Sequence, residues 1–294
     1  MRNPAHRTAL SAFSIRTALL CTAMLCTAVF STAATAAGDC EARIPALLDV
    51  AYPGAKDDSG DNGDLLRLSG TPTRWVNPAE VVCKVWPASP DKTLVAVKLQ
   101  HARDGDRAVD EADLDLLVVD SARDRIVQRH REDGVLSSDA IRVSSFVFDT
   151  ARYRLDDKTT AFGLRVNRSG NSRPNPYEDS TLRLYVIDST GLRPVLRNLV
   201  VMRKQGEWDT RCAGEFTDTR RTISVDAKRD NGYAGLLLNT VARTTRNVPR
   251  GEDCDDVDGG TDKSSVRLRY DGRQYVVPKD LRGFEDDYIG NGGG

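Results

Sequence analysis

The sequence predicts an all-β protein built from antiparallel sheets, with little helix, and three observations carry that expectation. Apolar residues alternate along short runs: Leu114, Leu116 and Val118 in one, Leu182, Leu184 and Val186 in another, so each set shares one face of a strand. Each run ends in a turn signal, Asp120, Asp188 or Asp271-Gly272, and a second apolar run follows. No stretch longer than a turn or two has helical period, and residues 44–50 are the best short helix candidate.

The first hairpin returns through Ile126 and Val127, the second through Val195 and Leu196, and the third through Tyr275, Val276 and Val277 before Pro278 stops it. An Asp at the end of a strand accepts a hydrogen bond from the backbone two residues on and so starts a turn. Each hairpin is preceded by a similar train of strand, turn, strand and polar loop. Residues 83–131, 146–201 and 222–278 therefore read as about three four-stranded repeats, with the hairpin aspartates 68 and then 83 positions apart. Packed sheets in a sandwich are one arrangement of such units, and a propeller-like ring is the alternative. Alternation on most strands implies one buried and one wet face.

Residues 1–37 have the form of a signal peptide. Arg2, Arg7 and Arg16 give a positive start, residues 18–30 are an apolar core of 13 residues, and Ala34, Thr35 and Ala36 offer small residues for cleavage. Removing this segment leaves 257 residues with 39 basic and 43 acidic side chains, a net charge of −4. That balance points away from nucleic acid or an anionic membrane as the main partner. No later apolar run approaches the length of a membrane span. A secreted β-repeat domain is expected over residues 38–284, with a disordered tail at 285–294.

Cys40, Cys83, Cys212 and Cys254 remain after cleavage, an even number in an oxidising compartment. Of three possible pairings, Cys40–Cys83 and Cys212–Cys254 join neighbouring parts of the chain. Each closed loop would contribute roughly 3–4 kcal/mol by restricting the unfolded chain. A four-cysteine zinc site is disfavoured, because no two lie at Cys-x-x-Cys spacing.

The loops are expected over residues 54–64, 103–113, 167–179 and 250–263. Several are rich in Asp, Asn and Gly, which supply the oxygens calcium requires. Asp61-Asn62-Gly63-Asp64 and Asp230-Asn231-Gly232, each just before an apolar strand, loosely resemble the calcium loops of integrin-type propeller repeats. That resemblance implies calcium as a possible ligand and nothing about activity. Trp86 is expected in the core, and Trp208 against neighbours near Cys212.

Catalytic motifs are sparse. There is no Gly-x-Ser-x-Gly, no His-Glu-x-x-His and no phosphate-binding glycine loop. The expectation is therefore a periplasmic, non-enzymatic binding protein whose loops meet a protein or glycan of the envelope. Two alternatives stand beside it. One is a metal-dependent hydrolase using His101 and His130 with nearby carboxylates. The other is a structural envelope protein with calcium-stiffened acidic loops.

Overall fold

The computed structural model describes residues 40–58, 64–102 and 110–283. The leader segment 1–37, the Asp61-Asn62-Gly63 stretch and the tail from 285 lie outside them. The chain enters through a short helix, α1 (Ile44–Ala51). Seven strands then form a first sheet: β1 (Lys56–Asp57), β2 (Leu66–Leu68), β3 (Arg74–Val76), β4 (Val82–Val85), β5 (Lys92–Gln100), β6 (Asp110–Asp120) and β7 (Arg125–Ser138). The order is β1-β2-β3-β5-β6-β7, with β4 also pairing β5.

The second sheet also has seven strands: β8 (Ile141–Arg154), β9 (Thr160–Gly170), β10 (Tyr177–Asp188), β11 (Gly191–Trp208), β12 (Gly214–Asp230), β13 (Tyr233–Arg250) and β14 (Asp253–Leu268). Each pairs antiparallel with the next, in chain order from β8 to β14. The antiparallel all-β class and the packed-sheet arrangement thus hold, and the propeller alternative gives way to two sheets. The expected helix forms one residue longer than read.

The turn chemistry is local and matches the expectation. Asp120 Oδ1 accepts from Ala122 N, Asp188 Oδ1 from Thr190 N, and Asp271 Oδ1 from Arg273 N. Asn231 and Gly232 both have positive φ, 47° and 96°, as a two-residue hairpin between β12 and β13 requires.

The repeats hold less well. β4–β7 and β8–β11 are each a four-strand meander, but the third unit supplies β12, β13 and β14 and then only an isolated bridge, Tyr270 to Tyr275. It also continues the sheet of the second unit. The 250–263 segment is not a loop: β14 runs through it. Likewise the 167–179 loop shrinks to residues 171–176. The acidic residues of β14 are tolerated because both of its faces are open to water there, whereas Arg168 and Asp179 are buried and face each other at 3.7 Å.

The core has three layers, and the expectation of one wet face fails for the central strands. The space between the sheets holds Leu94, Leu114, Leu116 and Val118 from the first and Phe162, Leu164, Val166 and Tyr185 from the second. Trp86 lies there at 7 % exposure, its ring edge-on to Phe162. The far face of the first sheet is covered by Leu47, Leu48, Ala51 and Tyr52 around α1, which pack on Val95, Val97, Leu99, Leu117 and Val119. The far face of the second sheet is covered by the chain after β14: Tyr270, Tyr275, Val277 and Leu281 pack with Leu182, Leu184, Leu196 and Leu236. Gly283 N and O each pair with Asn198, tying the end of this strap to β11. Alternation cannot reveal a face that is covered by chain distant in sequence.

Both expected disulfides form. Cys40–Cys83 anchors the start of the helical cover to β4, with Cα atoms 6.1 Å apart. Cys212–Cys254 joins the β11–β12 turn to the start of β14, with Cα atoms 5.6 Å apart. Such bonds persist in oxidising compartments. Among the described residues, no helix is long and apolar enough to cross a membrane.

Candidate functional site

The second sheet continues past its core. In β13, residues 233–236 and 238 are buried, whereas none of residues 239–250 is. None of Gly214–Asp230 in β12 and none of residues 253–265 in β14 is buried either. The distal half of the sheet is therefore an arm of paired strands. Twelve residues of β13 project for about 40 Å at ~3.3 Å per residue.

No buried residue explains why this arm stays extended, so its stability rests mainly on other terms. The ladder is unbroken in β12–β13 from Gly214↔Asn247 to Val225↔Leu236, and β14 follows β13 to its end. Cross-strand charges add Arg246 Nε–Glu215 at 2.7 Å and Arg250–Asp255 at 2.9 Å. Exposed pairs of this kind contribute roughly 0.2–1 kcal/mol each. The disulfide closes the far end.

Trp208 and Phe216 form the arm's aromatic contact, their centroids 6.2 Å apart. Phe216 lies over Gly206 and Trp208 over Gly214, where a Cβ would come within 2.3 and 2.4 Å of them. The Trp208 indole donates to Arg173 O at 2.6 Å. Trp208 thus packs on its cross-strand glycine, close in sequence to Cys212.

The edge strand β14 carries Asp253, Asp255, Asp256, Asp258 and Asp262. The sequence placed these in a calcium loop; as strand residues they point alternately to the two faces and do not converge. Charges on a free edge also deter pairing with another strand. Asp230, in the integrin-like stretch that falls among the described residues, is salt-bridged to Arg267 at 2.6 Å. Among the described residues, no grouping of three His, Cys, Asp or Glu side chains is placed to hold a metal.

The two histidines do not meet. His101 follows β5 on the face covered by α1, where Nε2 sits 2.5 Å from Asp113 Oδ1 and Nδ1 3.6 Å from Glu111. His130 pairs with Leu116 and faces the other way, into the space between the sheets, with its ring 6.2 Å from Tyr185. The body of the first sheet separates them, because the pleat sends the Asp113 and Leu116 side chains to opposite faces. A shared metal site is thereby ruled out on geometry.

His130 belongs instead to a buried charge cluster that the sequence did not signal. Glu132 Oε2 accepts from Arg183 at 3.1 Å and from Arg197, and Oε1 accepts from the Tyr185 hydroxyl at 2.6 Å. Burial alone would raise the Glu132 pKa; Arg183, Arg197 and the Tyr185 hydrogen bond outweigh it, and the carboxyl stays below its ordinary range. Burial lowers His130 below its ordinary 6.5, against the pull of Glu132. This cluster bridges β7 of one sheet to β10 and β11 of the other. Arg183, Arg197 and the Tyr185 hydroxyl all donate to Glu132 across the two sheets, so it reads as a structural clamp.

Comparison with family models, with curated proteins and with solved structures finds no match.

Proposed function

We propose that this is an exported, non-enzymatic binding protein of the periplasm or secreted space, and that the distal arm of the second sheet meets a protein of the cell envelope. The observation that supports the reading is the long run of β12, β13 and β14 with no buried residue. A sheet bare on both sides gains little from burial, yet this one is ordered by a full ladder, a tight hairpin and a disulfide. Its size suits the role. Three strands about 4.8 Å apart and ~40 Å long, widened by the end of β11 that pairs with β12 from Met202 to Trp208, present a face of roughly 700 Å², near the ~800 Å² each partner contributes to a standard protein interface. Mixed charge, with Arg243, Arg246 and Arg250 on β13 beside the aspartates of β14, suits a polar protein surface. The aromatic rings of β11 and β12 lie against each other and against glycines, which favours a protein over a glycan that would stack on them.

Crosslinking with mass spectrometry in intact cells tests this. Links from Lys204 and Lys263, which lie on the arm, should converge on one envelope protein. The double charge reversal Arg243→Glu with Arg246→Glu should abolish them. Links concentrated instead at Lys56, Lys84 and Lys92, and unaffected by the reversal, would retire the arm as the contact surface.

A further inference from the structure

On the α1 side of the first sheet there is a cleft of about 640 Å³, between the end of the helix, residues 68–72, and β6 and β7. That volume lies in the range of about 300–1,000 Å³ typical of small-molecule sites. Its polar wall is built from Arg74, Arg129, Arg131 and Asp113, and its apolar wall includes Tyr52, Pro53, Leu68 and Pro72.

One of its arginines keeps free donors. Asp115 is fully buried and belongs to Arg129, which grips it through Nε at 3.1 Å and Nη2 at 2.5 Å, while the Tyr52 hydroxyl donates at 2.7 Å. Asp113, at 1 % exposure, is saturated. Its Oδ1 accepts from His101 and from Gly134 N, and its Oδ2 accepts from Arg74 Nε at 2.8 Å. Arg131 also faces Asp113 Oδ2 but stands off at 3.9 Å, and its other carboxylate, the 83 % exposed Asp133, is 4.0 Å away. Neither distance is a hydrogen bond. Arg74 and Arg131 thus share one buried carboxylate, Asp133 at the rim balances the remaining positive charge, and the Nη donors of Arg131 have no hydrogen-bond partner among the described residues. A planar guanidinium with both Nη groups free matches a carboxylate bidentately.

We propose that this cleft binds a small monoanionic carboxylate with an apolar body, its carboxylate on Arg131 and its body against Tyr52, Pro53 and Pro72. One free fork with the Asp133 carboxylate beside it suits a monoanion over a phosphate dianion, whose second charge would find no cation and would face Asp133. The site lies on the first sheet, so it stands or falls independently of the arm.

The test uses the full oxidised chain and two sources of the same chemistry: benzoate, and a short peptide ending in phenylalanine with a free C-terminus. Benzamide, the amidated peptide and inorganic phosphate are the controls. Saturable binding of benzoate or the free peptide, weakened by salt and absent for benzamide and the amidated peptide, is the expected result; which one binds tells free acid from chain terminus. Arg131→Gln should weaken binding at least tenfold while leaving the melting temperature unchanged, and Arg131→Lys, which keeps charge but not the fork, should fall between. No saturable binding of either carboxylate, equal binding by Arg131→Gln, or tighter binding of phosphate would overturn the assignment.

Discussion

The inner and outer halves of the second sheet are made by the same strands and stabilised by different forces. Along β13, Tyr233 to Leu238 sit under the Tyr270–Leu281 strap, with Leu236 and Leu238 fully buried. Ten residues beyond Leu238, Val248 is 39 % exposed, and Val257 of β14, diagonally across from it, is 44 % exposed. The backbone ladder continues between them, shifted once at Thr244 and Thr245. Pairing alone therefore sets the shape of this sheet, whereas burial sets where it is strong. A ladder without a packed face is marginal by itself, which is why the outer half needs its covalent closure and the inner half does not.

The sharpest way to break the inner half is through its buried charge. Glu132→Ala removes the carboxylate that Arg183, Arg197 and the Tyr185 hydroxyl share, and should cost about 3–5 kcal/mol in denaturant unfolding. Next comes packing: Leu236→Ala, at a site with no exposure, should cost ~2–5 kcal/mol.

The outer half should respond to its own staple. Replacing Cys212 and Cys254 together by serine removes a constraint over 42 residues, worth up to about 4 kcal/mol in the chain-entropy picture. Hydrogen exchange should then rise sharply over residues 239–250 while residues 233–238 stay protected. Equal acceleration in both halves would show that the two are one cooperative unit.

A smaller effect is the response to pH. The His130 pKa is depressed by burial, so between 6.5 and its folded value the unfolded chain binds the extra proton. Stability should fall as pH drops below about 6.5, and His130→Gln should remove that step. The carboxylates act lower. Glu132 and Asp113 have depressed pKa values, so their contribution is intact above about 4.5 and is lost as pH falls through their folded values. The smallest effect belongs to the arm's surface: Val248→Ala should change stability by less than ~0.5 kcal/mol. A cost near that of Leu236→Ala would mean the arm is packed in solution, most directly against a partner.

Much of the fold was legible because it is written locally. Alternating Leu114, Leu116 and Val118, the Asp-led turns and the Asn231-Gly232 hairpin each depend on neighbours within a few residues. The disulfide pairing was legible because both links are short in sequence. The cleft and the Glu132 cluster were not. Arg74, Asp113 and Arg131, or Glu132, Arg183 and Arg197, are ordinary charged residues on strands, and only the crossing of distant strands brings them together. The arm was hidden for the opposite reason: its aspartates have loop composition, and an antiparallel partner on β13 was enough to hold them extended.

By itself the sequence determined the strand class, the hairpins, the short helix and the two covalent links, since each follows from backbone geometry and nearby side chains. Tertiary structure alone decided which faces are dry. α1 and the C-terminal strap cover sheets whose own pattern leaves them open, and no cover reaches the outer strands. Burial is a property of what lies opposite, and what lies opposite these strands comes from chain far away in sequence.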